Sequence, residues 1–186
     1  MRARHALICV DGLFLLIQIT AMSNETIHVN TPFQHSLVMG LQAIDADVAF
    51  ASINSEGTPG ALNTQVLIGL GYNEKQRPTR KDLMKGFHYL SQEKLKPIVF
   101  IVTIDDESTA DRLLTNNLTK ALYQLQSYLM GKTLWIPLMG TGASGAKLSF
   151  DVSYRATVDA LANSPVARES KGRRASSCLT FPRLSN

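Results

Sequence analysis

The sequence predicts an α/β fold: a mainly parallel mixed sheet flanked by helices on both faces. Three short apolar runs, at residues 48–53, 98–104 and 133–139, have the composition of strands that are buried on both sides. Segments with one apolar helical face follow the second and the third run, at 110–129 and 150–161. Strands that alternate with helices require right-handed βαβ crossovers, which place parallel strands in a sheet covered on both faces.

Residues 1–22 precede the predicted domain and combine a basic start with an apolar run. That pattern is typical of a secretory signal or a short membrane anchor. Asp11 lies inside the run, where a carboxylate costs about 2.5–3.5 kcal/mol at the centre of a membrane. Met22 begins an ordinary cytoplasmic sequence, so we expect a cytoplasmic protein with an N-terminal extension that its fold does not need. A secreted or membrane-anchored protein is the alternative if residues 1–21 are a signal.

The domain itself is predicted over residues 23–164. Apolar residues at helical spacing predict a helix at 33–43, before the first buried strand. The segment 65–70 fits either a strand or a helix, and Gly69, Gly71 and Pro78 interrupt the pattern within and after it. Thr79 and Asp82 have the spacing of a capping box, which predicts a helix that runs to residue 90.

Charge is concentrated at the two ends of the chain. The whole sequence has 19 basic and 15 acidic residues, whereas residues 24–164 have 12 basic and 13 acidic ones. A nearly neutral body does not provide the basic face that nucleic-acid binding needs. Residues 165–186 are basic and lack periodicity, so we expect a disordered tail there. Cys9 and Cys178, one near each end, predict neither a disulfide framework nor a metal site.

The strand predicted at 133–139 leads into a glycine-rich loop at 140–145, and Ser149 is a suitable N-cap for the helix that follows. Glycines lack a Cβ and therefore let a ligand approach the backbone. Free N–H groups and the positive end of the helix favour an anion, and the expected anion is a phosphate or diphosphate. A turn that merely connects two elements is the alternative, although such turns rarely need three glycines in six residues.

The same loop matches parts of three other motifs, but each lacks its context. The dinucleotide-binding glycine pattern needs a later strand with an acid about 20 residues further on. Compared with a phosphate-binding P-loop, Lys147 lies one position too late, and Leu148 stands where the motif has the hydroxyl residue that binds magnesium. A nucleophile elbow around Ser144 needs a histidine downstream, whereas all 4 histidines lie upstream.

With the loop after residue 53 included, the chain resembles the macro domain family, α/β modules that bind ADP-ribose and related nucleotides. Residues 134–145, with the sequence LWIPLMGTGASG, are similar to the family's diphosphate-binding strand and loop. Residues 47–54, with the sequence DVAFASIN, keep the first and last members of the family's loop-one pattern, Asp-Ala-Ile-Val-Asn-Ala-Ala-Asn. The resemblance covers residues 25–163.

Several departures from the family pattern concern catalysis. Ala51 replaces the first asparagine of loop one, and Thr64 stands where many members that remove ADP-ribose have an acid. Only Gly57 and Gly60 remain of a longer run of glycines. Backbone amides suffice to bind a diphosphate, whereas cleavage needs positioned polar side chains that activate water. The resemblance therefore implies binding without efficient catalysis, with Asn54 as the catalytic candidate.

The resemblance also implies two groups of ligand-binding residues. One group would hold the distal ribose, and the other would hold the diphosphate through N–H groups and hydroxyls. The first group is Ser52, Asn54, Ser55 and Gly57, and the second is Gly140, Thr141, Gly142, Ala143, Ser144 and Gly145. The expected partners are ADP-ribose or a related nucleotide and an ADP-ribosylated protein, with no cofactor, metal or nucleic acid. Two alternatives remain: an ADP-ribosyl hydrolase in which Asn54 orients water, and a non-binding scaffold with a vestigial pocket.

Overall fold

The computed structural model describes residues 46–105, 108–142 and 146–168, together with five further strands as backbone. Two of these strands, β1 (Arg4–Val10) and β2 (Leu13–Ile19), form an antiparallel hairpin of their own. The other three are β3 (Thr26–His28), β4 (His35–Met39) and β9 (Ser177–Phe181).

One seven-stranded sheet contains the remaining strands in the order β3-β4-β9-β8-β5-β7-β6. Its members in the continuous part of the chain are β5 (Val48–Asn54), β6 (Phe87–Leu90), β7 (Ile98–Ile104) and β8 (Leu134–Pro137). The five inner strands are parallel to one another, and the edge strands β3 and β6 pair antiparallel with β4 and β7. The predicted fold class, a mainly parallel mixed sheet, is confirmed.

Helices cover both faces of the sheet. They are α1 (Ala61–Gly69), α2 (Ala110–Gln124), α3 (Gln126–Leu129), α4 (Phe150–Ala162) and α5 (Pro165–Arg168). Because side chains alternate along a strand, β5 sends Phe50 into the core under α2 and α4 and Ala51 into the core under α1. In β8, Trp135 lies in the core under α1, and its neighbour Ile136 lies in the other core.

Two of the helix predictions made from the sequence are wrong. The segment predicted as a helix at 33–43 contains the strand β4, which pairs with β3 and β9. The segment predicted as a helix from residue 79 forms a turn and then β6. Thr79 does bond to Asp82 as expected, but Gly86 has φ +86° and ends the turn in a conformation that a helix excludes. The ambiguous segment at 65–70 is largely helical, within α1.

Two elements lie within the range for which the sequence predicts a disordered tail. These are α5 and β9, and β9 pairs in parallel with β4 on one side and β8 on the other. The limits of the domain at residues 22 and 164 remain predictions. Within the described ranges, no helix has the length and apolar character needed to cross a membrane.

Candidate functional site

Two loops leave the sheet at the same edge. Strands β5, β7 and β8 are parallel, so their carboxyl ends at Asn54, Ile104 and Pro137 meet there. Loop one, residues 54–60, connects β5 to α1, and loop two, residues 138–149, connects β8 to α4. The edge is where ligands bind in open α/β sheets. The structure thus brings the two predicted groups of residues to one edge, although Ala143, Ser144 and Gly145 lie outside the described residues.

Asn54 organises loop one. Its side-chain oxygen accepts hydrogen bonds from the N–H of Glu56 at 3.1 Å and from the N–H of Thr58 at 2.7 Å. Its backbone N–H donates to the carbonyl of Thr58 at 3.1 Å, and its own carbonyl accepts from Gly57 at 3.1 Å. A carbonyl oxygen has two lone pairs, and both are used here within the loop. The Nδ2 group is therefore the part of the Asn54 side chain that remains for a ligand.

Gly57 is a structural residue of loop one. It has φ +87°, and a Cβ at this position would lie 2.2 Å from the carbonyl oxygen of Pro78. Any other residue would clash with backbone there, and the positive φ would strain it as well. Arg80 also reaches the loop, with its Nη1 3.2 Å from Glu56 Oε1. The turn at residues 77–83 therefore packs against loop one through Pro78 and Arg80.

The same turn contains an aspartate with a shifted pKa. Asp82 Oδ2 accepts hydrogen bonds from the N–H of Thr79 at 2.8 Å and from its hydroxyl at 2.7 Å. These two bonds favour the ionised carboxylate and hold the pKa of Asp82 below its ordinary value. Ionised Asp82 thus closes the turn on which Gly57 packs.

Ser52 is buried, and its polar groups are occupied by Asn63 of α1. The Ser52 N–H donates to Asn63 Oδ1 at 3.0 Å, and Asn63 Nδ2 donates to the Ser52 hydroxyl at 2.8 Å. Asn63 was not singled out in the sequence, although a buried asparagine in the first turns of a helix that follows a strand loop is a usable signal. The contacts give Ser52 the role of holding α1 against β5, and direct contact with a ligand stays a prediction for it.

The glycines of loop two differ in their roles. Gly140 has φ +77°, and a Cβ there would lie 2.8 Å from a methyl group of Leu148. Its carbonyl accepts from the N–H of Leu148 at 2.9 Å, which closes the loop. Gly142 is exposed and lacks a positive φ, and the described residues place no atom within 4 Å of its Cβ position. A ligand can therefore approach the backbone at Gly142, whereas Gly140 is required by the loop itself.

Two serines fix the start of α4 next to loop two. Ser149 is the N-cap, as predicted, and its hydroxyl oxygen accepts from the N–H of Val152 at 3.2 Å. Ser153 is buried, and its hydroxyl donates to the carbonyl of Met139 at 2.7 Å. This second bond joins the first turns of α4 to the beginning of loop two, just after β8. Thr141 adds a bond within the loop, from its hydroxyl to the carbonyl of Leu138 at 2.9 Å.

The charges at this helix end are mixed. Asp151 lies in the first turn of α4, and Arg155 Nε lies 3.1 Å from its Oδ1. A carboxylate near a helix N-terminus stabilises the free helix but competes with an anionic ligand. Arg155 partly neutralises it. Among the residues that the structure describes, no three His, Cys, Asp or Glu side chains come together in a group that could hold a metal ion.

Comparison with known proteins gives a match in structure and none in sequence. Neither a family model nor a curated protein matches the sequence. The macrodomain of DarG from Thermus aquaticus matches with a TM-score of 0.53 and 12% identity, over 79% of this chain and 98% of that one. The macrodomain of Oceanobacillus iheyensis with MES bound matches with a TM-score of 0.57 and 12% identity, over 86% and 90%. A single-site mutant of the latter reaches a TM-score of 0.59 at 12% identity, over 86% and 87%. The chain has the macrodomain fold.

Proposed function

We propose that the protein binds ADP-ribose or a related nucleotide diphosphate at the edge where loop one and loop two meet. The observation that carries this proposal is the exposed Gly142, whose Cβ position meets no described atom within 4 Å, in the loop that leads from β8 to α4. In a macrodomain fold this loop leaves a central parallel strand, next to the strand that supports loop one. Backbone N–H groups at a helix N-terminus are suited to a phosphate group.

The two loops have different tasks in this proposal. Loop two binds the diphosphate through the N–H groups around Gly142, and the predicted contacts of Ala143, Ser144 and Gly145 belong to the same cradle. Loop one faces the distal ribose, where Asn54 Nδ2 and the Ser55 hydroxyl are the polar groups that can donate. Ser52 and Gly57 act indirectly, because their contacts are to Asn63 and Pro78. ADP-ribose attached to a protein would present the same groups and is a second ligand form.

The contacts of loop one support binding without efficient catalysis. A water that attacks a glycosidic carbon needs a group that accepts its proton. The Asn54 oxygen already accepts two backbone hydrogen bonds, and the Thr64 hydroxyl donates to the carbonyl of Gly60 at 3.1 Å. Neither side chain is an acid, so neither supplies the general base that hydrolysis of ADP-ribosylated protein requires.

Titration calorimetry of the full chain with ADP-ribose, ADP and NAD tests the proposal. We expect saturable binding of ADP-ribose with one site per chain. Absence of heat and of any shift in melting temperature with all three ligands would contradict the proposal and favour a non-binding scaffold.

A turnover assay separates binding from hydrolysis. The substrates are an ADP-ribosylated glutamate in a protein and O-acetyl-ADP-ribose, and we expect no release of ADP-ribose above the uncatalysed rate. Release that is lost in Asn54→Ala but kept in Asn163→Ala would establish the hydrolase instead. Asn163 is a suitable control because it lies exposed at the C-terminal end of α4.

A further inference from the structure

Strand β6 forms one edge of the large sheet. It pairs with β7 in antiparallel register, and no other described strand pairs with its outer side. The N–H of Val102 donates to the carbonyl of Gly86 at 2.9 Å, which fixes the polarity of the ladder. Since the direction of backbone groups alternates along a strand, His88 and Leu90 bond to β7, whereas the N–H and C=O groups of Phe87 and Tyr89 point away from the sheet. The edge thus has two outward donors and two outward acceptors.

An aromatic pair lies beside this edge. The ring of Tyr89 contacts that of Tyr128 from α3, with the centroids 5.6 Å apart and the planes at 31°. The Tyr128 residue is 59% exposed. Phe87 and Tyr89 are on the face of the sheet that α2 covers, so the pair continues the apolar surface of that face to the edge. A strand added to β6 could place an apolar side chain against this pair, because side chains on one face of neighbouring strands contact each other.

The charges near β6 indicate which kind of strand fits. Lys85 precedes the strand and Lys94 lies in the turn that follows it, both are exposed, and Glu93 is the carboxylate of that turn. Among the described residues, no carboxylate oxygen lies within 4 Å of the ammonium group of Lys85 or Lys94. Exposed lysines beside a sheet edge repel a strand that carries positive charges, because like charges across neighbouring strands are destabilising and opposite charges are stabilising. They favour an acidic one.

A second copy of the chain fits this edge poorly. In a two-fold antiparallel pair, Phe87 of one copy would bond to Tyr89 of the other, and the two His88 side chains would stand directly opposite each other. The copy would also bring its own Lys85 and Lys94 to the edge, which adds like charges. An extended segment with carboxylates avoids this repulsion.

We propose that β6 is a docking site for an extended acidic segment of a partner protein, which adds a strand to the sheet. The outward groups of Phe87 and Tyr89 supply the backbone hydrogen bonds, the Tyr89–Tyr128 pair contacts one apolar side chain, and the lysines attract the carboxylates. Strand addition is a common way for a sheet edge to bind a peptide. Strand β6 contains none of the residues assigned to the proposed nucleotide site, so this docking does not depend on a ligand there.

Synthetic peptides test the proposal on the full chain. The probe is a fluorescent eight-residue peptide in which glutamate alternates with valine, and the charge control replaces glutamate by lysine. We expect saturable binding of the acidic peptide, measured by fluorescence polarisation, and at least about tenfold weaker binding of the basic one, as a difference of 1.4 kcal/mol would give. Equal binding of both peptides, or of neither, would overturn the proposal.

Backbone pairing is tested by two further peptides in which alternate amide nitrogens are methylated, one set in each. Because successive N–H groups of a strand point to opposite sides, only one of the two peptides should lose binding. Loss in both or in neither would show that the peptide does not bind as a strand. Amide hydrogen exchange should slow at Phe87 and Tyr89 when the acidic peptide is added; slowing confined to other strands would place the peptide elsewhere.

Charge reversal locates the site on the protein. Lys85→Glu should weaken the acidic peptide several-fold and leave the melting temperature unchanged. Lys132→Glu is the matched control, since Lys132 is an exposed lysine just before β8, three strands away in the sheet. Equal effects of the two substitutions would overturn the proposal, as would a concentration-dependent dimer that the peptide does not dissociate, because a second copy would then occupy β6.

Discussion

Asn63 on α1 and Ser52 on β5 form two reciprocal hydrogen bonds in the core: the Ser52 N–H donates to Asn63 Oδ1 at 3.0 Å, and Asn63 Nδ2 donates to Ser52 Oγ at 2.8 Å. Both residues are buried. The pair joins the end of β5 to the start of α1 and so holds the two ends of loop one in place. Polar groups in such a place depend on each other, because water cannot replace a lost partner.

Asn63→Ala should therefore be costly for its position. The substitution leaves the N–H and the hydroxyl of Ser52 buried without partners, at about 1–3 kcal/mol for each group. We expect the free energy of unfolding to fall by about 2–6 kcal/mol in urea titrations. Asn163→Ala, at an exposed asparagine, should change it by about 0.5 kcal/mol or less. Similar losses in the two variants would show that the pair with Ser52 is not the cause.

Gly57→Ala should destabilise the protein through backbone strain. The residue has φ +87°, and the added methyl group would lie 2.2 Å from the Pro78 carbonyl oxygen. A residue other than glycine in such a conformation costs about 1–3 kcal/mol before the clash is counted. Gly142→Ala is the matched control, because its Cβ meets nothing within 4 Å. Thermal melts compare the two, and a Gly57→Ala variant as stable as Gly142→Ala would contradict the packing of loop one on Pro78.

Protonation of Asp82 should cause part of the loss of stability in acid. Hydrogen bonds from Thr79 hold its pKa below the ordinary value of 3.8, so the folded state binds the proton less tightly than the unfolded state. The contribution is complete above the unfolded pKa and is lost as the pH falls through the folded one. Thr79→Val removes the hydroxyl bond, so the decline in stability between about pH 5 and pH 2 should be shallower.

Thr64→Val is the control for that measurement, because the Thr64 hydroxyl donates to the backbone carbonyl of Gly60 and not to a carboxylate. Its acid limb should parallel that of the wild type in urea titrations. If stability declines with falling pH equally in the wild type and in Thr79→Val, the hydrogen bonds to Asp82 do not contribute to the loss of stability in acid.

The sequence was a good guide wherever a pattern was local. Buried strands such as β7 are short apolar runs, and Ser149 caps α4 as its position predicts. The failures at β4 and β6 have a common cause: both segments carry apolar residues at helical spacing, but pairing with neighbouring strands provides their backbone hydrogen bonds. Long-range pairing overrides local propensity, and a single sequence does not contain the partner's register.

The candidate site shows the same limit. The sequence located both glycine loops, yet it did not distinguish Gly140, which packs against Leu148, from Gly142, which is open. It predicted that Asn54 contacts the ligand, and it did not reveal that the side-chain oxygen of Asn54 accepts from the N–H groups of Glu56 and Thr58. These distinctions depend on which atoms the fold brings next to each residue, and spacing along the chain does not reveal that.

Asp151→Asn tests whether an anion binds at the start of α4. Removing this carboxylate also frees Arg155, so an anionic ligand would meet a more positive helix end. A gain of about 0.3–1 kcal/mol corresponds to about two- to fivefold tighter binding of ADP-ribose at low salt, and the gain should shrink as salt is added. Asp159→Asn, in the second half of the same helix, should leave the affinity unchanged. An unchanged affinity in Asp151→Asn would place the diphosphate away from α4.

Gly142→Glu tests directly whether loop two binds the diphosphate, with affinity for ADP-ribose and melting temperature measured on the same sample. Gly142 is exposed, its Cβ position meets no described atom within 4 Å and its φ is not positive, so the fold should tolerate the change. The new carboxylate would stand where the diphosphate binds. Loss of about two charge-assisted hydrogen bonds costs roughly 3–6 kcal/mol, so affinity should fall at least about 100-fold while the melting temperature changes little. Unchanged affinity in a folded Gly142→Glu protein would contradict the binding of a diphosphate by loop two.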